Sequence, residues 1–194
     1  DVADIEGYAK IARSHNIPLI VDSTFTPPPL LRPIDYGADI VIHSLSKWIC
    51  GHGTAIGGAV IDAGKFDWSD PKFSLYNEPY KGYHGLRFGR DLSGTGNPAF
   101  ITRLRTVGLR NMGPTLSPDS AWIFLQGLET LPLRMERHCS NAKAVAEFLK
   151  SHPGVEWVRY PGLEGDPSRA EAEKYLIRGC GGVVVFGPKG GYDK

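Results

Sequence analysis

The first half of the chain pairs one helical pattern with short apolar runs. Between residues 5 and 15, apolar side chains recur at the spacing of a single helix face, and Pro18 cannot continue that helix. Residues 18–22 and 38–43 are short apolar runs, typical of strands that are buried on both faces of a parallel sheet. Residues 55–62 predict a third strand. This order of elements predicts an α/β fold with a mostly parallel sheet.

The second half is dominated by helical patterns. Residues 98–111 and 121–130 predict helices, and residues 131–150 predict the longest helix, with Pro132 tolerated near its start. The length of that helix favours a connector between two domains. The remaining predicted elements are a strand, a short helix and a strand, at residues 155–160, 170–177 and 181–186.

Composition is ordinary for a globular protein and excludes several classes of partner. Of the 194 residues, 41% are hydrophobic and 22% are charged, and the net charge is +1, so we expect neither a nucleic-acid nor a membrane partner. No apolar run reaches the roughly 18 residues of a transmembrane helix. Cys50, Cys139 and Cys180 are distant and odd in number, which favours a reducing, cytoplasmic location. We expect no metal site, because CxxC pairs and other ligand spacings are missing.

The two ends of the sequence indicate a piece of a longer chain. The sequence has no initiating Met, begins almost directly in a helix pattern, and stops shortly after a predicted strand. We therefore expect further segments on both sides.

Candidate chemistry lies just beyond two neighbouring predicted strands. Asp22 ends the first strand, and Lys47 follows the second one closely. In open α/β sheets, ligands bind at the carboxyl ends of the strands. A lysine there can form a Schiff base, and a carboxylate can keep a pyridine nitrogen protonated, which makes the ring an electron sink. Asp22 could instead only cap a turn after its strand.

Hydroxyl groups flank both candidate residues. Ser44 and Ser46 could donate to phosphate oxygens or could be turn residues, and Thr24 could contact the ring or only bond to backbone. His43 and His52 are expected to be structural, because no second ligand lies at metal-binding spacing.

Three segments resemble the Cys/Met-metabolism family of pyridoxal-phosphate enzymes. Residues 39–53 (DIVIHSLSKWICGHG) are similar to its cofactor-attachment signature, which usually has a small residue and Thr where Leu45 and Ser46 stand. Residues 21–27 (VDSTFTP) resemble the strand that holds the pyridinium, and residues 127–138 (GLETLPLRMERH) resemble the helix leading to the small domain.

The resemblance implies a fold-type-I transferase with pyridoxal 5'-phosphate bound to Lys47, commonly a homotetramer of two dimers. It implies that residues 1–133 belong to the cofactor-binding large domain, and that residues 134–194 form the connecting helix and part of a C-terminal small domain. It also implies that the phosphate loop, a stacking aromatic and a Tyr/Arg pair precede Asp1, and that a carboxylate-binding Arg follows Lys194.

The segment 78–85 (EPYKGYHG) bears on the reaction. It is similar to an insert in the O-acetylhomoserine sulfhydrylase branch of the family, which implies γ-replacement: O-acetylhomoserine and sulfide give homocysteine and acetate. Tyr83 and His84 could line the substrate entrance, or they could belong to a packed loop.

Two alternatives stay open, and a third is disfavoured. The chain could belong to a cystathionine synthase or methionine γ-lyase with the same kind of chemistry, or it could be an inactive fragment or scaffold. A dinucleotide-binding domain is disfavoured, because no Gly-x-Gly-x-x-Gly follows a strand.

Overall fold

The structure is a computed structural model that describes residues 1–92 and 96–191. Within these ranges, helices α1 to α7 are Ile5–Ser14, Ser74–Asn77, Phe88–Asp91, Ala99–Arg103, Arg110–Met112, Pro118–Ser151 and Arg169–Tyr175. Strands β1 to β5 are Ile20–Asp22, Ile40–Ser44, Gly58–Asp62, Val155–Arg159 and Val185–Pro188. Tight 3₁₀ turns lie at Pro33–Tyr36 and Lys81–Tyr83, and π-helical turns lie at Leu45–Ile49 and Leu104–Leu109.

The first sheet has the order β1-β2-β3. Strand β1 runs parallel to β2, with Asp22 opposite Ile42, which agrees with the predicted α/β order. Strand β3 is antiparallel to β2, with Ser44 opposite Gly58, so this pair departs from the parallel pairing of β1 with β2. A parallel return usually needs a crossover helix. Here residues 45–57 provide only one π-helical turn and a glycine-rich reversal.

Strand β1 is less buried than its apolar sequence predicts. Ile20 is 51% exposed. Within the described part of the chain, β1 pairs with β2 alone and is three residues long. The expectation of burial on both faces is therefore wrong for β1, whereas Ile40 and Val41 of β2 are buried.

Helix α6 is one continuous helix of 34 residues. The sequence predicted two helices divided near Pro132. The proline removes one backbone donor, yet packing along the whole helix keeps it continuous. Its start is well specified, because the Ser117 hydroxyl accepts a hydrogen bond from Ser120 N–H at 3.2 Å and Pro118 occupies the first turn. The domain boundary between residues 133 and 134 falls inside this helix and stays a prediction.

The C-terminal part packs on the N-terminal helix. Tyr175 and Leu176 lie in one apolar cluster with Ile5, and the Tyr175 hydroxyl donates to Asp4 at 2.6 Å. Strand β5 is antiparallel to β4 and begins at Val185, four residues later than predicted. No described helix is long and apolar enough to cross a membrane.

Helix α6 also packs against the π-helical turn that carries Lys47. Leu131, Met135 and Cys139 of α6 form a buried cluster with Leu30 and Ile49. The approach is closest at a glycine of α6. A Cβ on Gly127 would lie 2.3 Å from the carbonyl oxygen of Ile49, so only glycine allows this contact.

Gly127→Ala is therefore expected to destabilise the fold by about 1–3 kcal/mol, because a backbone carbonyl must move to admit the methyl group. The free energy of unfolding, measured by urea denaturation, checks this. Gly108→Ala is the matched control, since its added Cβ would meet only a Leu104 methyl at 3.4 Å. Equal stability of the two variants would contradict the close approach.

Candidate active site

The carboxyl ends of β1 and β2 form one edge of the sheet. Asp22 is the last residue of β1, and Ser44 is the last residue of β2. Because the strands are parallel and in register, Asp22 and the turn that follows Ser44 leave the sheet at the same edge. The structure thus brings both predicted segments to one place, as the sequence implied.

Thr24 ties the two strand ends together. Its hydroxyl oxygen accepts a hydrogen bond from Ser44 N–H at 2.8 Å, and its own N–H donates to Asp22 Oδ1 at 2.9 Å. Hydrogen bonds from the Thr24 side chain and then from its N–H hold the pKa of Asp22 below the ordinary value, against a smaller effect of burial. Asp22 is therefore ionised at neutral pH. Thr24 is 8% exposed, so the bridge is sheltered from water.

Thr24→Val should remove this bridge without changing side-chain shape. It leaves Ser44 N–H without its acceptor, so we expect a loss of about 1–3 kcal/mol in the free energy of unfolding. Urea denaturation measures this loss. Thr24→Ser keeps the hydroxyl and should stay close to wild type. If the valine variant matched the serine variant, the bridge would contribute nothing.

Lys47 lies in the π-helical turn immediately after β2. Its side chain is exposed, and among the described residues its amine has no hydrogen-bond or ion-pair partner. Its backbone angles, φ −90° and ψ −119°, are not helical, so the turn is irregular at this residue. Hydrogen bonds close the turn on both sides of it, from Cys50 N–H to Leu45 O and from Gly51 N–H to Lys47 O, each 2.9 Å.

The two predicted serines have different surroundings. The Ser46 hydroxyl oxygen accepts a hydrogen bond from Gly57 N–H at 3.0 Å, and its own proton remains available to donate. Ser44 is half-buried and is fixed through its backbone N–H by Thr24. Gly57 was not identified from sequence, because backbone donors leave no sequence pattern. Both hydroxyls lie within three residues of Lys47.

Tyr83 and His84 lie apart from these groups in sequence and in their contacts. Tyr83 ends a 3₁₀ turn, its ring is 5.6 Å from the His84 ring, and the Arg110 guanidinium lies 5.5 Å from its centroid. His84 adopts a left-handed backbone conformation with φ 55°. Tyr83 is half-buried and His84 is exposed, and a substrate role for the pair stays a prediction.

An apolar cavity adjoins the sheet but does not contain the candidate residues. It has a volume of about 610 Å³ and is lined by Val41, His43, Phe124 and Leu128, among others, and neither Lys47 nor Asp22 lines it. His43 is 4% exposed, and its Nδ1 has no hydrogen-bond partner. Burial lowers the pKa of His43, so it is neutral at pH 7. This burial agrees with the expected structural role of His43, although one nitrogen of its ring lacks a hydrogen-bond partner.

Within the described ranges, no group of three or more His, Cys, Asp or Glu side chains could hold a metal ion. The titratable chemistry at the sheet edge therefore consists of an ionised carboxylate, a lysine amine and nearby hydroxyls.

Comparison with known proteins gives one consistent answer. A family model described as "Cys/Met metabolism PLP-dependent enzyme" matches residues 1–194. An O-acetyl-L-homoserine sulfhydrylase of Leptospira meyeri is 50% identical over 100% of this chain and 45% of its own length. A homocysteine synthase of Schizosaccharomyces pombe has the same identity and the same two coverages.

A solved structure has the same fold. It is a crystal structure from Campylobacter jejuni, described as an O-acetylhomoserine (thiol)-lyase with N'-pyridoxyl-lysine-5'-monophosphate. It matches with a TM-score of 0.91 and 39% identity over 97% of this chain and 47% of that one. The chain therefore spans a little less than half the length of the relatives it matches.

Proposed function

Because this chain belongs to the Cys/Met metabolism family of PLP-dependent enzymes, we propose that the protein containing it makes homocysteine and acetate from O-acetylhomoserine and sulfide. The observation that carries this reaction is the agreement of relatives at 45–50% identity, which are named O-acetyl-L-homoserine sulfhydrylase or homocysteine synthase. These relatives match across the whole of this chain.

The residues at the sheet edge fit pyridoxal 5'-phosphate. Asp22 is an ionised carboxylate held by Thr24, which suits a protonated ring nitrogen. The Lys47 amine has no competing partner in the described part of the chain, and the proton of Ser46 is free to donate to a phosphate oxygen. When bound, the cofactor withdraws electrons from the substrate and so makes its α-proton acidic.

Each residue then has a defined task. Lys47 holds the cofactor covalently through Nζ and, once released, accepts and returns the proton of the substrate α-carbon at the same atom. Asp22 keeps its negative charge beside the ring nitrogen, and Thr24 keeps Asp22 in place. Ser44 and Ser46 donate hydrogen bonds to the phosphate, and Thr24 also fixes the backbone of Ser44.

The remaining assignments extend this proposal. Tyr83 and His84 contact the substrate at the entrance, in an insert shared with the sulfhydrylase branch. The protein acts on a small amino-acid substrate, assembles as a homotetramer of two dimers and works in the cytoplasm. The distant, odd-numbered cysteines support the last point.

The test is an assay of the full-length protein with pyridoxal 5'-phosphate and O-acetylhomoserine, with and without sulfide. Homocysteine formed in proportion to sulfide supports the proposal. Formation of a keto acid and ammonia as the main products would favour a γ-lyase, and activity only with cysteine as the thiol would favour a cystathionine synthase. A protein that bound no cofactor would contradict the proposal and favour an inactive protein or scaffold.

A further inference from the structure

Arg134 of α6 reaches the backbone of the turn that carries Lys47. Its Nη1 donates to the Trp48 carbonyl at 2.7 Å, and its Nη2 donates to the Ile49 carbonyl at 3.2 Å and to the Gly127 carbonyl at 2.7 Å. Its Nε donates to the Thr130 hydroxyl at 3.1 Å. Two of the three carbonyls belong to the residues that directly follow Lys47. The guanidinium therefore joins the helix to this turn at its most irregular point.

All of these acceptors are neutral oxygens. Within the described ranges, no carboxylate forms an ion pair with Arg134. Burial lowers the pKa of the guanidinium, but its ordinary value is so high that it stays charged at neutral pH. Hydrogen bonds with a charged donor are about twice as strong as neutral ones. Arg134 therefore holds the Trp48 and Ile49 carbonyls more firmly than a neutral side chain could.

The turn depends on the Arg134 guanidinium because no described backbone N–H donates to the carbonyls of Trp48 and Ile49. The described backbone hydrogen bonds use the carbonyls of Leu45 and Lys47, and not those of Trp48 and Ile49. The non-helical angles at Lys47 interrupt the helical hydrogen-bond pattern of the turn. The carbonyls of Trp48 and Ile49 instead accept hydrogen bonds from Arg134 of α6.

One glycine makes room for the guanidinium, and a second makes room for the backbone of the turn. A Cβ on Gly51 would lie 2.7 Å from Arg134 Nη1, and Gly51 has a φ of +81° that disfavours other residues. A Cβ on Gly127 would lie 2.3 Å from the Ile49 carbonyl oxygen. The planar guanidinium of Arg134 thus fits between the backbone of α6 and the backbone of the turn.

From these contacts we propose that Arg134 is a positioning residue for Lys47. It holds the peptides of Trp48 and Ile49 and so fixes the backbone angles of Lys47, which set where the amine lies relative to the cofactor. The inference rests on the proposed cofactor role of Lys47. Arg134 itself touches neither substrate nor cofactor; it acts through the turn.

The test compares three variants of the full-length holoenzyme. Arg134→Met keeps the apolar stem and removes every donor, and Arg134→Lys restores a cation with fewer donors. Arg137→Met is the matched control, because Arg137 is an exposed residue three positions further along α6. The readouts are kcat and KM per bound cofactor, and the pH titration of the visible absorbance of the lysine-bound cofactor.

Arg134→Met is expected to lower kcat per bound cofactor roughly tenfold to a hundredfold, with a smaller change in KM, because a displaced amine loses its alignment. The midpoint of the absorbance titration should shift, Arg134→Lys should recover part of both effects, and Arg137→Met should match wild type. If the methionine variant does not fold, the lysine variant alone must show both effects in reduced form.

An unchanged kcat per bound cofactor together with an unchanged titration would overturn the inference, even if the variant were less stable. The titration separates this failure from failure of the proposed reaction. A wild-type enzyme that is inactive on O-acetylhomoserine refutes the reaction, whereas the absorbance of its bound cofactor still reports on Arg134.

Discussion

Replacing Lys47 with Ala in the full-length protein is expected to remove the visible absorbance of the bound cofactor and to lower kcat by a thousandfold or more. One atom, Nζ, performs both the covalent attachment and the proton transfer, and proton transfer by a positioned group contributes about 10²–10⁴-fold by itself. Absorbance spectra and steady-state assays at saturating cofactor measure the two effects.

Lys10→Ala is the control for this prediction. Lys10 is an exposed lysine of α1, so its loss changes the net charge equally and should leave both readouts at wild-type values. The interpretation fails if the Lys47 variant keeps the visible absorbance, since another lysine would then hold the cofactor.

Asp22→Asn is expected to lower kcat by roughly a hundredfold to a thousandfold, which is typical when one preorganised electrostatic contact is lost. An amide is close in shape and can still accept the Thr24 N–H, so the fold should stay intact. It carries no charge, however, and cannot keep the ring nitrogen protonated. Steady-state assays, with cofactor content measured alongside, test this.

Asp67 offers a closely matched control. Its Oδ1 accepts the N–H of Ser69 at 2.8 Å, and its pKa is lowered by the side chain and then the N–H of Ser69, just as Thr24 acts on Asp22. Asp67→Asn thus changes the same kind of turn away from the sheet edge and should leave kcat unchanged. If kcat fell to a similar extent in both variants, Asp22 would act only as a turn residue.

The sequence was sufficient to place Asp22 and Lys47 near the ends of two neighbouring strands, because strand ends are local features. The roles of the two residues stay predictions. Thr24 could not be assigned to either of its two open roles, because its partner Ser44 is 20 residues away and is brought near only by the pairing of β1 with β2.

The contacts of Arg134 and the direction of strand β3 could not be predicted from local sequence patterns, for the same reason. The acceptors of Arg134 in the turn lie 85 and 86 residues away and are backbone carbonyls, which any sequence provides. Strand β3 has the composition of any strand, and its direction depends on how tightly residues 45–57 reverse. Helix α6 passes through Pro132 because its packing contributes more than one lost hydrogen bond costs.

The central claim is that Lys47 carries the cofactor, and peptide mapping tests it most directly. Borohydride reduction of the full-length holoenzyme converts the lysine–cofactor bond into a stable amine, and digestion followed by mass spectrometry locates the phosphopyridoxyl group. The label is expected on Lys47, in a peptide that continues into Trp48 and Ile49. A label on a different lysine, with Lys47 unmodified, would contradict it.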